Sequence, residues 1–312
     1  MLDKDNRIAP FEFITCAAAA TAAERPCLRG THSGPSANDV PGLGDPLCDN
    51  NLCGFTLIEL LVVVAIIALL MAIIMPSLRA ARQLAQGTVC TSNVRQLSMA
   101  WTVYADGNDS KMVGAQVSLN TWVSYEWVHR RAESGDPGFI AGMSGHDSEL
   151  AGIRSGALYP YLKTTKVFHC VADASWKKNK HKASLTAVES PYRSYAVQDG
   201  LNGWGYFEQE PVHKITELRE PAKKYVFLEE DEGQGSHNWG SWILDKDGNS
   251  FWDPISIWHK KSSTLGFADG HAELHLWKEK STWQVSSGEL PPGTAVGGSE
   301  DLKYVQDGYV VR

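Results

Sequence analysis

One carboxylate, Glu59, lies inside an otherwise apolar run that extends from Phe55 to Met75 and ends before Pro76. A carboxylate at the centre of a membrane-spanning helix costs roughly 2.5–3.5 kcal/mol, and ionisable residues in such segments are functional candidates. Glu59 comes only four residues after Phe55, so a position at the membrane interface, where its side chain reaches water, is the alternative. Both interpretations stay open from the residues alone.

Histidine and acidic residues near the C-terminal end of the chain are the next candidates for chemistry. His271 and His275 would share one face of a strand with about 13 Å between them, too far for one zinc ion. We therefore predict no metal site among His259, Asp269, His271 and His275. The sequence also lacks a nucleophile elbow, a Walker loop, a dinucleotide fingerprint and a zinc-protease motif, so we expect no enzyme activity.

The elements that position these residues begin with the apolar run. It has 21 residues and one ionisable side chain, and as a helix it would span roughly 31 Å, close to the ~30 Å hydrocarbon core of a bilayer. The apolar region of a secretory signal peptide is shorter, about 7–15 residues. We therefore predict a membrane-spanning helix over 55–76. Its amphipathic continuation over 77–105 presents apolar residues at spacings of three and four.

The stretch from Gly54 to Glu59 resembles the class III signal of type IV prepilins and type II secretion pseudopilins, and the match extends along the apolar run to Pro76. This resemblance implies cleavage after Gly54 by a prepilin peptidase, N-methylation of Phe55, and pairing of Glu59 with the new amino terminus of a neighbouring subunit. The implied partners are that peptidase and N-methyltransferase, other pilin or pseudopilin subunits, and an assembly platform with a cytoplasmic ATPase. The implied location is the cytoplasmic membrane, crossed once, with the head outside the cytoplasm.

Residues 1–54 fit this family less well, because Pro41 to Cys53 contains no Lys or Arg although family leaders are usually basic near the cleavage site. Either the leader is unusually long, or the translation start lies closer to Gly54, which we favour. In both cases we expect 1–54 to be disordered and absent from the mature protein.

The rest of the chain, 106–312, is predicted to form the head. Short apolar runs such as Tyr225 to Leu228 indicate strands, and Asp269-Gly270 between two such runs indicates a hairpin with a type I′ turn. In its second strand Ala272, Leu274 and Leu276 alternate with polar residues, which indicates one buried and one wet face. The predicted fold is α+β and pilin-like, with one long helix packed on an antiparallel sheet.

The segment from His259 to Gly270 resembles the H-X9-DG element of a prepilin-like subgroup known from planctomycete and related genomes, carried here by His259, Asp269 and Gly270. The element shows no peptidase or transferase chemistry, and a strand–hairpin corner with His259 bonded near the turn is the favoured interpretation, because Asp-Gly already has a local turn explanation. Some pseudopilins bind calcium, and oxygen ligands alternate at Asp245, Asp247, Asn249 and Asp253. Because no Glu closes that loop, a plain turn is the favoured interpretation and no cofactor is predicted.

An extracytoplasmic head also allows a disulfide between Cys90 and Cys170, the two cysteines of the expected mature chain. Buried free thiols are the alternative. We expect a structural subunit of a type II secretion pseudopilus or a type IV pilus-like filament. The net charge of −7 argues against a nucleic-acid partner. The alternatives are a membrane-tethered module that binds carbohydrate or another polymer through exposed aromatic residues, and a tethered hydrolase.

Overall fold

The structure is a computed structural model that describes residues 55–118, 123–130, 132–173, 193–230 and 240–312. The expected disorder and removal of 1–54, and Gly54 itself, therefore lie outside the described residues. The chain divides into two units after Thr56, and the architecture below belongs to the second, Leu57–Arg312.

The long helix predicted from the sequence is present. Helix α1 runs from Leu57 to Asp106, and Pro76 lies within it without ending it. At the turn where Pro76 has no N–H to donate, the Ser77 hydroxyl donates to the Ile74 carbonyl at 2.8 Å. A turn over 107–110, where Gly107, Asn108 and Asp109 are typical turn residues, ends the helix.

The two halves of α1 differ in burial. Its N-terminal half is exposed, and buried positions begin at Gly87. They recur mostly at spacings of three and four, which places them on one face of the helix, and comprise Gly87, Cys90, Val94, Leu97, Ser98, Ala100, Trp101 and Ala105.

The head contains a five-stranded sheet with the order β3-β1-β2-β4-β5. The strands are β1 (Tyr195–Gln198), β2 (Tyr225–Glu229), β3 (Ser241–Trp242), β4 (Ser262–Phe267) and β5 (Ala272–Leu276). The pairs β1–β2, β2–β4 and β4–β5 are antiparallel, as predicted. The edge strand β3 instead pairs parallel to β1, so the sheet is mixed.

Both faces of the sheet are covered. The buried half of α1 packs against β4, β5 and β2, around a core that includes Trp101, Trp127 and Phe227. A second core, with Trp242 and Trp277, joins β1, β2 and β4 to two C-terminal helices. The described helices after α1 are α2 (Gly145–Ser155), α3 (Tyr159–Leu162), α4 (Lys280–Ser287) and α5 (Glu300–Gly308), with 3₁₀ turns at Lys166–Phe168, Ile215–Glu217 and Pro221–Lys223. The predicted α+β fold, one long helix on a sheet, is confirmed.

The β4–β5 hairpin is present, but two details of its prediction are wrong. A type I′ turn needs positive φ at both central residues, and only Gly270 has it, at +88°. The apolar face of β5 is not buried, since Leu274 and Leu276 are 42% and 57% exposed. On its polar face, by contrast, Glu273 accepts a hydrogen bond from the Tyr304 hydroxyl at 2.7 Å.

Candidate functional site

The N-terminal half of α1 carries a continuous apolar surface that nothing in the described chain covers. Leu57, Leu69 and Met75 are 81%, 64% and 53% exposed. Among the described residues α1 is the one helix long and apolar enough to cross a membrane, and none of its most apolar 18-residue window is buried. An exposed apolar surface of this extent marks contact with lipid or with other apolar surfaces.

Glu59 lies in the first turn of α1 and is exposed. A carboxylate there interacts favourably with the positive end of the helix dipole. The helix dipole therefore accounts for an acidic residue at position 59 even in a single chain. Pairing of Glu59 with a neighbouring subunit stays a prediction.

A second candidate site lies where α1 meets the head, around the imidazole of His259. Its Nε2 atom is 3.2 Å from Cys170 Sγ and 3.1 Å from Glu229 Oε1. Cys90 Sγ, from α1, is 3.0 Å from Cys170 Sγ. One ligand atom from each of the four side chains lies within 4.8 Å of every other, and all four residues are buried. We call Cys90, Cys170, Glu229 and His259 the buried cluster.

Two hydroxyl groups border the buried cluster. Thr264 Oγ1, on β4, donates to Glu229 Oε1 at 2.7 Å. The Tyr195 hydroxyl on β1 is buried next to both thiols, and burial together with the neighbouring Cys170 and Cys90 raises the pKa of Tyr195 well above its usual value. The cluster thus joins α1 to strands β1, β2 and β4.

The ionisation of these groups follows from their mutual contacts. Burial raises the pKa of Cys170, whereas the hydrogen bond from Cys170 lowers the pKa of Cys90 to about 4. Burial alone would lower the pKa of His259, but its bonds to Cys90 and Glu229 outweigh that effect and raise the pKa to about 10. These contacts therefore favour a Cys90 thiolate held by a Cys170 thiol and a His259 imidazolium.

A thiol, an imidazole and a carboxylate in contact also form the arrangement used in cysteine nucleophiles. Cys90 and Cys170 are both 0% exposed. A substrate therefore has no surface at which to meet either sulfur atom, and the geometry favours a structural role over nucleophilic catalysis.

The three residues of the H-X9-DG element do not form one site. His259 belongs to the buried cluster and precedes β4, whereas Asp269 and Gly270 lie beyond the other end of that strand. There Asp269 Oδ1 accepts hydrogen bonds from the backbone N–H of His271 at 3.1 Å and from its ring Nδ1 at 2.5 Å. Asp269 and Gly270 therefore shape the hairpin turn, while His259 is a candidate ligand.

The carboxylates of the predicted calcium candidate, Asp245, Asp247 and Asp253, do not converge on one point. Among the described residues, the group of His, Cys, Asp and Glu side chains that converges is the buried cluster, and neither Asp245, Asp247 nor Asp253 belongs to it. Asp245 Oδ1 accepts from the Asp247 N–H at 3.2 Å, which is a local turn contact. Asp253 Oδ2 accepts from the Ile243 N–H at 2.7 Å. A turn explains these residues, Asn249 included, without an ion.

Sequence reasoning placed Cys90 and Cys170 together and singled out His259, but it did not predict that all three meet. Glu229, Thr264 and Tyr195 were missed entirely. The available signal was weak: Glu229 directly follows the buried-strand run Tyr225 to Leu228, which places it in the same strand.

Comparison with known proteins places the N-terminal segment. Residues 49–75 match the family model described as the prokaryotic N-terminal methylation motif, a range that includes Gly54, Phe55 and Glu59. A 60-residue stretch is 47% identical to the type IV wide pilus major component PilA4 of Thermus thermophilus, covering 19% of this chain and 46% of the relative. The chain thus spans about half the length of the curated relative it matches. No solved structure matches the chain. The chain carries a prepilin-type N-terminal methylation motif, followed by a long helix packed on a sheet, and is similar in part to a type IV pilin.

Proposed function

We propose that this chain is a pilin-like structural subunit that is cleaved after Gly54, methylated at Phe55 and assembled through α1 into a filament. The observation that carries this proposal is the uncovered apolar half of α1, which lies within and directly after the methylation motif. Such a surface must be covered by lipid before assembly and by other subunits afterwards.

The subunit waits in the cytoplasmic membrane, with the span over 55–76 in the bilayer and the head outside the cytoplasm. In the filament the apolar helices pack side by side, where an unpaired carboxylate is costly. The methylated amino terminus of Phe55 on a neighbouring subunit compensates the charge of Glu59 and sets the register between subunits. Pro76 marks the end of the packed segment.

The partners follow from these steps. A prepilin peptidase and N-methyltransferase acts at Gly54 and Phe55, and further pilin or pseudopilin subunits cover the apolar surface. A membrane platform with a cytoplasmic ATPase drives extraction from the bilayer. The assembled structure is either a type II secretion pseudopilus or a type IV pilus-like filament, with the head at its surface.

Exposed aromatic residues would be needed for the alternative, a tethered module that binds carbohydrate or another polymer. Trp101, Trp127, Trp242 and Trp277 are fully buried and belong to the core. Trp204 and Trp252 are 56% and 49% exposed, and Trp252 packs edge-to-face on Phe207 with ring centroids 5.1 Å apart. These exposed rings are what the binding module would use, whereas the apolar half of α1 has no task in that alternative, so we favour the subunit function.

Processing at Gly54 tests the proposed function. We expect co-expression with a prepilin peptidase to convert the full chain into a shorter form, and Gly54→Val to block the conversion, because a bulky side chain then occupies the cleavage position. Gly44→Val, ten residues upstream, is the matched control and should be processed normally. Equal processing of both variants, or no processing of the unaltered chain, would contradict the proposal.

A further inference from the structure

The buried cluster has no task in filament assembly through α1, yet it brings two thiols, an imidazole and a carboxylate together from four separate parts of the chain. Cys90 lies on α1, Cys170 follows the 3₁₀ turn Lys166–Phe168, Glu229 ends β2 and His259 precedes β4. Burial of so many ionisable groups is expensive unless they are paired or bind a metal. The four side chains contact one another, but these contacts leave Glu229 Oε2 without a hydrogen-bond partner among the described residues, which points to a ligand.

We propose that Cys90, Cys170, His259 and Glu229 bind one zinc ion in a four-coordinate structural site. Two thiolates and an imidazole are the donors that select zinc over calcium or magnesium, and a carboxylate oxygen is an accepted fourth ligand. Binding releases two protons to solvent, one from the Cys170 thiol and one from Nε2 of the His259 imidazolium, and the ion takes the lone pairs that these atoms then offer. None of these donors belongs to the N-terminal methylation motif, so the inference stands apart from the proposed function.

The dimensions of the cluster fit this ion. Zinc–sulfur bonds of about 2.3 Å and zinc–nitrogen bonds of about 2.0 Å in a tetrahedron place the two sulfur atoms about 3.8 Å apart and sulfur and nitrogen about 3.5 Å apart. The present separations are 3.0 Å for Cys90 Sγ to Cys170 Sγ and 3.2 Å for Cys170 Sγ to His259 Nε2. Opening the cluster by less than about 1 Å, within the reach of side-chain rotation, completes the geometry.

Glu229 provides an independent observation. Its side chain is 0% exposed, and its Oε2 atom has no hydrogen-bond partner among the described residues. A fully buried carboxylate oxygen in that state is costly, and coordination to a cation removes the cost. Thr264 already holds the other oxygen at 2.7 Å, as hydroxyl groups behind metal ligands do.

A disulfide between Cys90 and Cys170, the pairing predicted from the sequence, is the competing state of the same two thiols. A disulfide would remove both thiolate ligands, and the Glu229 carboxylate would then contact only His259 and Thr264 among the groups named here. The metal satisfies all four side chains at once, and the Tyr195 hydroxyl, buried beside both thiols, is positioned to donate to a bound thiolate. The filled site would fasten α1 to the sheet at the first buried turns of the helix.

Metal analysis of the full chain tests this inference. Cys16, Cys27, Cys48 and Cys53 are replaced by serine, so that Cys90 and Cys170 are the remaining thiols, and the protein is purified in detergent under reducing conditions. We expect about one zinc ion per chain, and cobalt(II) in its place should give the intense thiolate charge-transfer and visible bands of a tetrahedral site. Removal of zinc by a chelator should lower Tm by about 8 °C or more.

Variants locate the site. Cys90→Ser, Cys170→Ser and His259→Gln should each abolish the cobalt charge-transfer bands or weaken zinc binding at least about 100-fold, and Glu229→Gln should weaken it about 10- to 100-fold. His271→Gln, on the exposed hairpin turn, is the matched control and should retain the metal. Two results would overturn the proposal. One is a chain that binds no zinc although both thiols are free under reducing conditions, and the other is a chain that leaves the cell with a Cys90–Cys170 disulfide and no zinc. The cobalt spectrum is measured on the chain that keeps all four ligands. The proposal can therefore be tested even if one of the ligand variants fails to fold.

Discussion

Cys90 on the long helix and Cys170 in the head are 80 positions apart in the chain, yet their Sγ atoms lie 3.0 Å from each other. The helix approaches this closely because small residues line the contact. Gly87, one turn before Cys90, faces β5, where an added Cβ would lie 3.2 Å from Leu274 Cδ2. Docking of α1 and assembly of the buried cluster are therefore one structural event.

Helix α1 packs tightly against the sheet at Gly266 on β4. A Cβ there would lie 2.4 Å from both Ser98 Oγ and Val94 Cγ1, so we expect Gly266→Ala to lower the free energy of unfolding by about 1–3 kcal/mol through overpacking. Denaturant unfolding of the full chain in detergent, followed by tryptophan fluorescence, measures the change. Gly297→Ala is the matched control, because no atom lies within 4 Å of its added Cβ. Equal stability of the two variants would show that the contact is looser than described.

Assembly should depend on the charge of Glu59. In a packed bundle of helices, Glu59→Gln leaves the amino terminus of Phe55 on the adjacent subunit without a counter-charge, and such a loss costs several kcal/mol when the pair is buried. We expect the sedimentable filament fraction to fall by about tenfold or more. Glu59→Asp keeps the charge and should retain more assembly than Glu59→Gln. If Glu59→Gln assembles as well as the unaltered chain, pairing of Glu59 with the amino terminus of Phe55 does not set the register between subunits.

Head stability should depend on pH through Asp253. Burial and the nearby Asp199 raise the pKa of Asp253 to about 7 from an ordinary value of 3.8. Between these values the native state holds a proton that the unfolded chain has lost, so this stabilising contribution is complete below about pH 4 and disappears as pH rises through about 7. Asp253→Asn keeps an acceptor for the Ile243 N–H without the charge.

We therefore expect Asp253→Asn to be more stable than the unaltered chain at about pH 8, with the difference shrinking towards about pH 4. Thermal unfolding across that range measures it. Asp247→Asn, at an exposed position of the same loop, should show no such pH-dependent gain. A constant difference for Asp253→Asn at every pH would assign its effect to packing instead.

The long helix was predictable because its signal is local and repeats. From Phe55 to Met75 every residue except Thr56 and Glu59 is apolar. Further along, apolar residues recur at spacings of three and four, and the helix runs to Asp106. The β4–β5 hairpin was predictable for the same reason, since Asp269-Gly270 interrupts two short apolar runs. The bounds of both elements follow from residues adjacent in the chain.

Features that depend on distant contacts were not predictable. The short apolar run Tyr309 to Val311 is of the kind that indicates a strand, but no strand forms there, and helix α5 precedes it. The Ser299 hydroxyl caps that helix by accepting from the Leu302 N–H at 3.0 Å, a signal present in the sequence but outweighed by the surrounding glycines and prolines. The parallel pairing of β3 and the arrival of Glu229 beside His259 are set by tertiary packing, for which a single sequence carries no spacing rule.

The central claim is that the apolar helix becomes the N-terminus of a processed subunit, and mass spectrometry of the chain isolated from its native membrane tests it most directly. We predict a mature N-terminal peptide that begins at Phe55 and carries an N-methyl group. A chain that retains residues 1–54, or one that begins at Phe55 with an unmodified amine and stays unassembled, would contradict the account.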